Sequence, residues 1–139
     1  MRQMDLTQVR KRLIEHEGIK LKPYHCTAGK LTIGVGRNLD DRGISQATAT
    51  QMLEEDIEIV LDELKRALPF WEKLKWNYKE ALVDLAFNMG VPRLMMFKRM
   101  LGAIEADDPD KAAEELLESR YASQVGIRAS NIAALLRSS

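Results

Sequence analysis

Apolar residues near the start of the chain fall on a helical period that stops abruptly. Leu6, Val9, Leu13 and Ile14 share one face, Asp5 stands where an N-cap belongs, and Gly18 is a natural C-terminal stop. From Lys20 to Gly36 the period fails. "LKPY" and "KLTIGVG" read as two short strands around the turn "HCTAG", and "RNLDDRG" reads as a polar loop. Ser45 opens the longest periodic segment, in which Ala49, Met52, Leu53, Ile57, Val60, Leu61 and Leu64 keep helical spacing until Pro69. Asn77 and Glu80 form an N-x-x-E capping arrangement before "YKEALVDLAFNMG", a segment apolar almost all round and so expected to be a buried central helix. Gly90 and Pro92 end it. Leu94, Phe97, Leu101 and Ile104 mark a further helix. Asp108-Pro109 caps "DKAAEELLESRY", and a last short helix is expected around Arg128 to Leu136. The pattern predicts an α+β protein, mostly α, with its sheet confined to one end.

Composition adds limits. The chain has 139 residues, enough for one domain with a real core, with 45% hydrophobic and 30% charged residues. Lys plus Arg equals Asp plus Glu at 21 each, which argues against a dedicated nucleic-acid binder. The first 45 residues carry nine basic against five acidic side chains, a bias towards an anionic polymer or simply a solvated surface. The single cysteine, Cys26, excludes an intramolecular disulfide and suits a reducing compartment. "MRQMDLTQVRKRL" lacks the apolar stretch of a signal peptide, and no apolar run approaches the roughly 18 residues of a membrane span. A cytosolic origin is therefore expected.

The residues with chemical promise sit at the first break in the pattern. Glu17, Cys26 and Thr32 occupy a helix end, a hairpin turn and a strand, spaced Glu-x8-Cys-x5-Thr. A tight hairpin could fold the latter two back towards the glutamate. On spacing alone, Glu17 reads as readily as a solvated surface residue.

"EHEGIKLKPYHCTAGKLTIGVG" resembles the N-terminal active-site segment of the phage-type lysozymes, endolysins that cut peptidoglycan. That family shows E-G, a Tyr, a hairpin turn carrying Asp or sometimes Cys, and then T-I-G-x-G. The likeness continues through the long helix, through "ALVDLAFNMG" with its F-N-x-G ending, and on to "SRYASQVGIRA", from about Leu6 to about Leu136. It implies one lysozyme-like domain over residues 1–139. A small lobe would span 18–50 and a helical lobe 1–17 and 68–139, joined by a connecting helix at 46–67, with the first helix packing on the larger lobe.

By matching position the resemblance makes Glu17 the general acid, Cys26 the residue assisting the attacking water, and Thr32 the third catalytic residue. Asn88 and Gly34 would bind substrate, together with Arg128, which matches an arginine that pairs with the catalytic Glu. The implied reaction is hydrolysis of the β-1,4 bond between N-acetylmuramic acid and N-acetylglucosamine, without metal or other cofactor. The expected enzyme is a monomer that inserts in no membrane and binds no nucleic acid. It would wait in the host cytoplasm for a holin or similar membrane-permeabilising partner.

Elementary chemistry fits these assignments unevenly. An acid that protonates a sugar oxygen must hold its proton, and a helix C-terminus disfavours the carboxylate anion. A free thiol, with a pKa of about 8.5, is only roughly 3% thiolate at pH 7. Either the site lowers the pKa of Cys26, with Lys22, His25 or Lys30 as sources of positive charge, or catalysis tolerates a weaker base. Cys26 also reads as a small turn residue without chemistry. Thr32 reads as a water holder or as a β-branched strand residue. The resemblance implies inversion at the anomeric carbon, while a thiolate nucleophile would give retention.

Other features point elsewhere less well. "GVG" at Gly34 to Gly36 lacks the third glycine of a dinucleotide loop and more simply permits close approach of a sugar chain or backbone. His16, His25 and Cys26 lack the spacing of a zinc site or a cysteine peptidase. Trp71 and Trp76 read as core or interdomain packing, with sugar stacking as the alternative. A catalytically weak or silent peptidoglycan-binding module and a tail-associated lytic domain remain as competing functions.

Overall fold

The computed structural model describes residues 4–138; Met1–Gln3 and Ser139, the outermost residues of the expected 1–139 domain, lie outside it. The chain divides into two compact units, Met1–Gln51 and Met52–Ser139.

In the first unit, helix α1 (Leu6–Glu17) begins where Asp5 Oδ1 accepts from the Thr7 and Gln8 amides at 3.0 and 3.4 Å. It ends where Gly18, at φ +73°, donates its N–H to Ile14 O. No residue of α1 is buried. Strands β1 (Lys20–His25), β2 (Leu31–Gly34) and β3 (Arg37–Asn38) form an antiparallel meander in the order β1-β2-β3. Tyr24 pairs with Thr32, His25 with Leu31, and Thr32 with Asn38. The register of β1 slips between Lys20 and Tyr24, the stretch containing Pro23, which has no N–H for a ladder and is tolerated on this edge strand.

The turn Cys26–Lys30 closes with Gly29 N–H on Cys26 O and Cys26 N–H on Lys30 O, at 2.8 and 2.9 Å. Gly29 takes the left-handed conformation that such a hairpin loop requires. "RNLDDRG", expected as a loop, instead supplies β3 and a one-turn helix, α2 (Leu39–Arg42). Asn38 caps that turn by accepting from the Asp41 amide, and Asp40 and Asp41 occupy its positive end. One helical turn is too short to show an apolar period.

Helix α3 (Gln46–Ala67) is capped by Ser45, whose hydroxyl accepts from the Thr48 amide at 3.1 Å, and Leu64 is its one buried residue. A 3-10 turn (Trp71–Lys73) follows, then α4 (Trp76–Met89). The expected capping by Asn77 does not occur. The helix starts two residues earlier, with Lys75 at the N-cap position, and Asn77 Nδ2 donates to Leu136 O instead, satisfying a carbonyl near another helix end. Helix α4 buries one face, Tyr78, Ala81, Leu82, Leu85 and Ala86, while Phe87 is exposed.

The remaining chain forms α5 (Val91–Leu94), α6 (Lys98–Glu105), α7 (Pro109–Leu117), α8 (Arg120–Val125) and α9 (Ile127–Arg137). Two segments expected as single helices are each broken in two. Leu94 belongs to α5 and Leu101 to α6; Ser119 ends the α7 segment because its hydroxyl caps α8 through the Ala122 amide. Leu64, Leu82, Leu85, Leu94, Ile104, Leu116 and Leu136 form the centre of the second unit's core. Trp71 joins it, whereas Trp76, expected to pack, is 77% exposed. Lys79 Nζ lies 5.7 Å from each indole centroid, so one cation serves both rings. No helix is long and apolar enough to cross a membrane among the described residues.

Candidate active site

Glu17 is the last residue of α1 and is exposed at its surface. Its side chain leans over the β2–β3 turn: a Cβ built on Gly36 would stand 3.1 Å from Glu17 Oε2 and 3.4 Å from Cδ. Gly36, at φ +70°, therefore does two things no other residue does without strain. It makes the turn, and it leaves room for the carboxyl group. The close approach expected at the GVG segment is by a side chain of this same chain. Gly34, at φ +71°, closes β2, and a Cβ there would meet nothing within 4 Å.

Cys26 and Thr32 come together through one carbonyl. Lys30 O accepts the Cys26 N–H at 2.9 Å and the Thr32 hydroxyl at 2.8 Å. Thr32 is only 4% exposed and is the buried polar residue among those described, so its hydroxyl needs such a partner. Cys26 is a partly buried free thiol. Its pKa is held below the ordinary thiol value by the Lys30 N–H first and the Ala28 N–H next, against some desolvation, with smaller help from the Thr32 hydroxyl and its own amide. These are hydrogen-bond dipoles of the turn. The cation expected from Lys30 is engaged elsewhere, since its ammonium pairs with Asp41 at 3.2 Å.

The other expected residues lie in the second unit. Asn88, at the end of α4, is exposed, and its Oδ1 accepts from the Tyr121 hydroxyl at 2.8 Å, which orients the amide. Arg128, at the start of α9, donates to Asp84 Oδ1 from Nε at 3.0 Å and Nη2 at 2.6 Å, and to Asp84 O from Nη2 at 3.2 Å. Both partners are more than a third exposed, so the pair contributes at most ~1 kcal/mol to stability and mainly fixes orientation. It borders a cavity of about 630 Å³ whose walls include Ile57, Leu61, Trp76, Val83 and Phe87.

Asp84 was not among the expected site residues; its signal is a lone acid inside "ALVDLAF", where a carboxylate needs a partner, and that partner is 44 residues away. Asp40 carried no signal within its polar run, yet its Oδ2 accepts the Leu31 N–H at 2.7 Å, beside Lys30 and Thr32. Among the described residues no group of three or more His, Cys, Asp or Glu side chains could hold a metal ion.

A mostly helical chain with a small three-stranded sheet, and with a glutamate at a helix end beside that sheet, defines a lysozyme-like α+β protein. The sequence profile of the phage lysozyme family matches residues 14–137, and the chain belongs to that family. The match supports a glycoside hydrolase kind of enzyme. The chain is 26% identical to the pre-baseplate central spike protein Gp5 of Enterobacteria phage T4, over 86% of this chain and 26% of that protein. It is also 26% identical to a probable T4-type lysozyme 2 of Dictyostelium discoideum, over 84% of this chain and 85% of that one. With an endolysin of Acyrthosiphon pisum secondary endosymbiont phage 1 it shares 36% identity, over 55% of this chain and 53% of the endolysin. It thus spans about a quarter of the spike protein and about half of the endolysin.

Proposed function

We propose that the chain is an endolysin-type muramidase that hydrolyses the β-1,4 bond between N-acetylmuramic acid and N-acetylglucosamine in peptidoglycan. The observation that carries this reading is the phage lysozyme match over residues 14–137, which takes in Glu17, Cys26 and Thr32. In the proposed reaction the Glu17 carboxyl protonates the glycosidic oxygen as the bond to the anomeric carbon breaks. Water adds to that carbon and gives a proton to the Cys26 thiolate, with Thr32 supporting; Asn88, Gly34 and Arg128 contact the glycan. The lowered thiol pKa raises the share of Cys26 present as the thiolate that this step requires. The products are a new reducing end on N-acetylmuramic acid and a free 4-hydroxyl on N-acetylglucosamine.

Digestion of purified peptidoglycan, with products sized and reducing ends identified, tests the reaction. New muramic acid reducing ends are expected, and their absence would overturn it. Glu17→Gln keeps the shape and loses the proton: hydrolysis is expected to fall by at least about 10²-fold, with an unchanged circular dichroism spectrum. For Cys26, the Ala variant is expected to lose activity and the Asp variant to keep it. Wild-type activity in Cys26→Ala would make the thiol a bystander. Proton NMR of the first-formed anomer reads inversion against retention, and inversion is expected.

A monomeric enzyme waiting in the host cytoplasm for a holin-type partner completes the proposal; co-expression with such a permeabilising protein should convert a tolerated enzyme into a lytic one. The similarity to a central spike protein favours a second reading, a lytic module of a virion. Finding the chain in assembled particles rather than free in the lysate would select it.

A further inference from the structure

The peptide joining Lys30 to Leu31 is held from both sides. Its carbonyl accepts the Cys26 N–H at 2.9 Å and the Thr32 hydroxyl at 2.8 Å. Its N–H, on the opposite edge of β2, donates to Asp40 Oδ2 at 2.7 Å. Strand β3 ends at Asn38, so no backbone acceptor continues the ladder at Leu31, and the Asp40 carboxylate takes that place. The helical turn that carries Asp40 is held through its neighbour Asp41. Asn38 caps α2 at the Asp41 amide, Asn38 Nδ2 donates to Asp41 Oδ2 at 2.9 Å, and Asp41 also pairs with the Lys30 ammonium.

We propose that Asp40 is a positioning residue for Cys26 and Thr32, acting through the Lys30–Leu31 peptide whose carbonyl both of them share. An acceptor on the N–H fixes the peptide plane and polarises the carbonyl at its other end. That plane sets where the Thr32 hydroxyl sits and how the turn presents its N–H groups to the sulfur. The hydroxyl has one proton. With a neutral thiol it rests on Lys30 O, and ionisation of the thiol draws it to the sulfur. The consequence for catalysis rests on the muramidase reading; the consequence for the thiol does not.

The test uses the purified full chain, whose one cysteine reports alone. The rate of Cys26 alkylation by iodoacetamide is followed from pH 5 to 10 in wild type, Asp40→Ala and Asp40→Asn, alongside kcat and KM on peptidoglycan. Charge and position predict opposite signs. Removing a nearby carboxylate only as a charge would lower the thiol midpoint, in both variants alike. Loss of positioning raises it, in Asp40→Ala only, because the Asn amide oxygen still accepts from Leu31. The Lys30–Asp41 pair and His25 remain in every variant.

The expected result is a midpoint about half a unit higher in Asp40→Ala, hence about three-fold slower alkylation at pH 7. In that variant kcat should fall with KM unchanged, and Asp40→Asn should stay near wild type in all three readouts. An unmoved or lowered midpoint in Asp40→Ala overturns the proposal, even if stability falls. Should Asp40→Ala not fold, Asp40→Ser carries the same readout, its hydroxyl being too short to reach Leu31. A raised midpoint in a protein that cuts no peptidoglycan would sink the muramidase reading and leave the positioning intact.

Discussion

A methyl group on Gly36 would stand 3.1 Å from Glu17 Oε2 in a backbone conformation, φ +70°, that costs an L-residue roughly 1–2 kcal/mol. Gly36→Ala should therefore do two things at once. It should lower thermal stability by about that amount and displace the Glu17 carboxyl, with hydrolysis falling at least about ten-fold. A melting curve and a turbidity assay read both; full activity would mean that the carboxyl does not work from this place. At the same scale, Gly34→Ala meets only the backbone cost, because nothing lies within 4 Å of its added carbon. Glu17, Cys26 and Thr32 were readable as candidates from a local motif. The roles of Gly36 and Asp40 were not, since each depends on a contact made 9 to 19 residues away in the chain.

Among the elements, the junction between α6 and α7 couples structure to pH. Asp107, a non-glycine residue at φ +56°, accepts from Lys75 Nζ at 2.8 Å and from the Tyr78 hydroxyl at 2.7 Å. The Lys75 hydrogen bond first, then that of Tyr78, holds its carboxyl below the usual range. Burial, and then Asp107 itself, pushes the Tyr78 phenol far above its ordinary value. The two signs differ. Asp107 stabilises above the unfolded carboxyl pKa of about 3.9, and that contribution is lost as pH falls through its lower folded value. Tyr78 stabilises below the unfolded phenol pKa of about 10, and its contribution is lost as pH rises beyond it. Melting temperatures across pH should show both limbs. Asp107→Asn, an amide tolerated at positive φ, should remove its part of the acid limb, and Tyr78→Phe should flatten the alkaline one.

Helix spans were legible wherever an apolar period ran for several turns, as in α1, α3 and α9. They failed where a hydrogen-bonding side chain settled the boundary: Ser119 splitting a helix in two, Asn38 making one from a polar run, Asn77 leaving its expected cap for Leu136.

Across the whole molecule, burial is uneven. Among the described residues, every buried hydrophobic lies between Leu64 and Leu136, while the first unit buries Thr32. Amide hydrogens of β1 to β3 should therefore exchange through local opening far sooner than those of α4, α7 and α9. Mass-detected exchange checks this, and equal protection in both units would contradict it. Leu85→Ala, at a site with no exposed surface, should cost about 2–5 kcal/mol and destabilise the helical unit as a whole.

The amino-acid sequence by itself settled the helical periods, the hairpin and the E-G…T-I-G-x-G motif, because those depend on neighbours one to four residues apart. Folding alone decided that the Lys30 carbonyl joins a thiol to a hydroxyl, that Asp40 takes its amide, that Arg128 engages Asp84, and that Trp76 stays in water. Hydrogen bonds and burial between distant residues belong to the arrangement of the chain in space, and no local spacing encodes them.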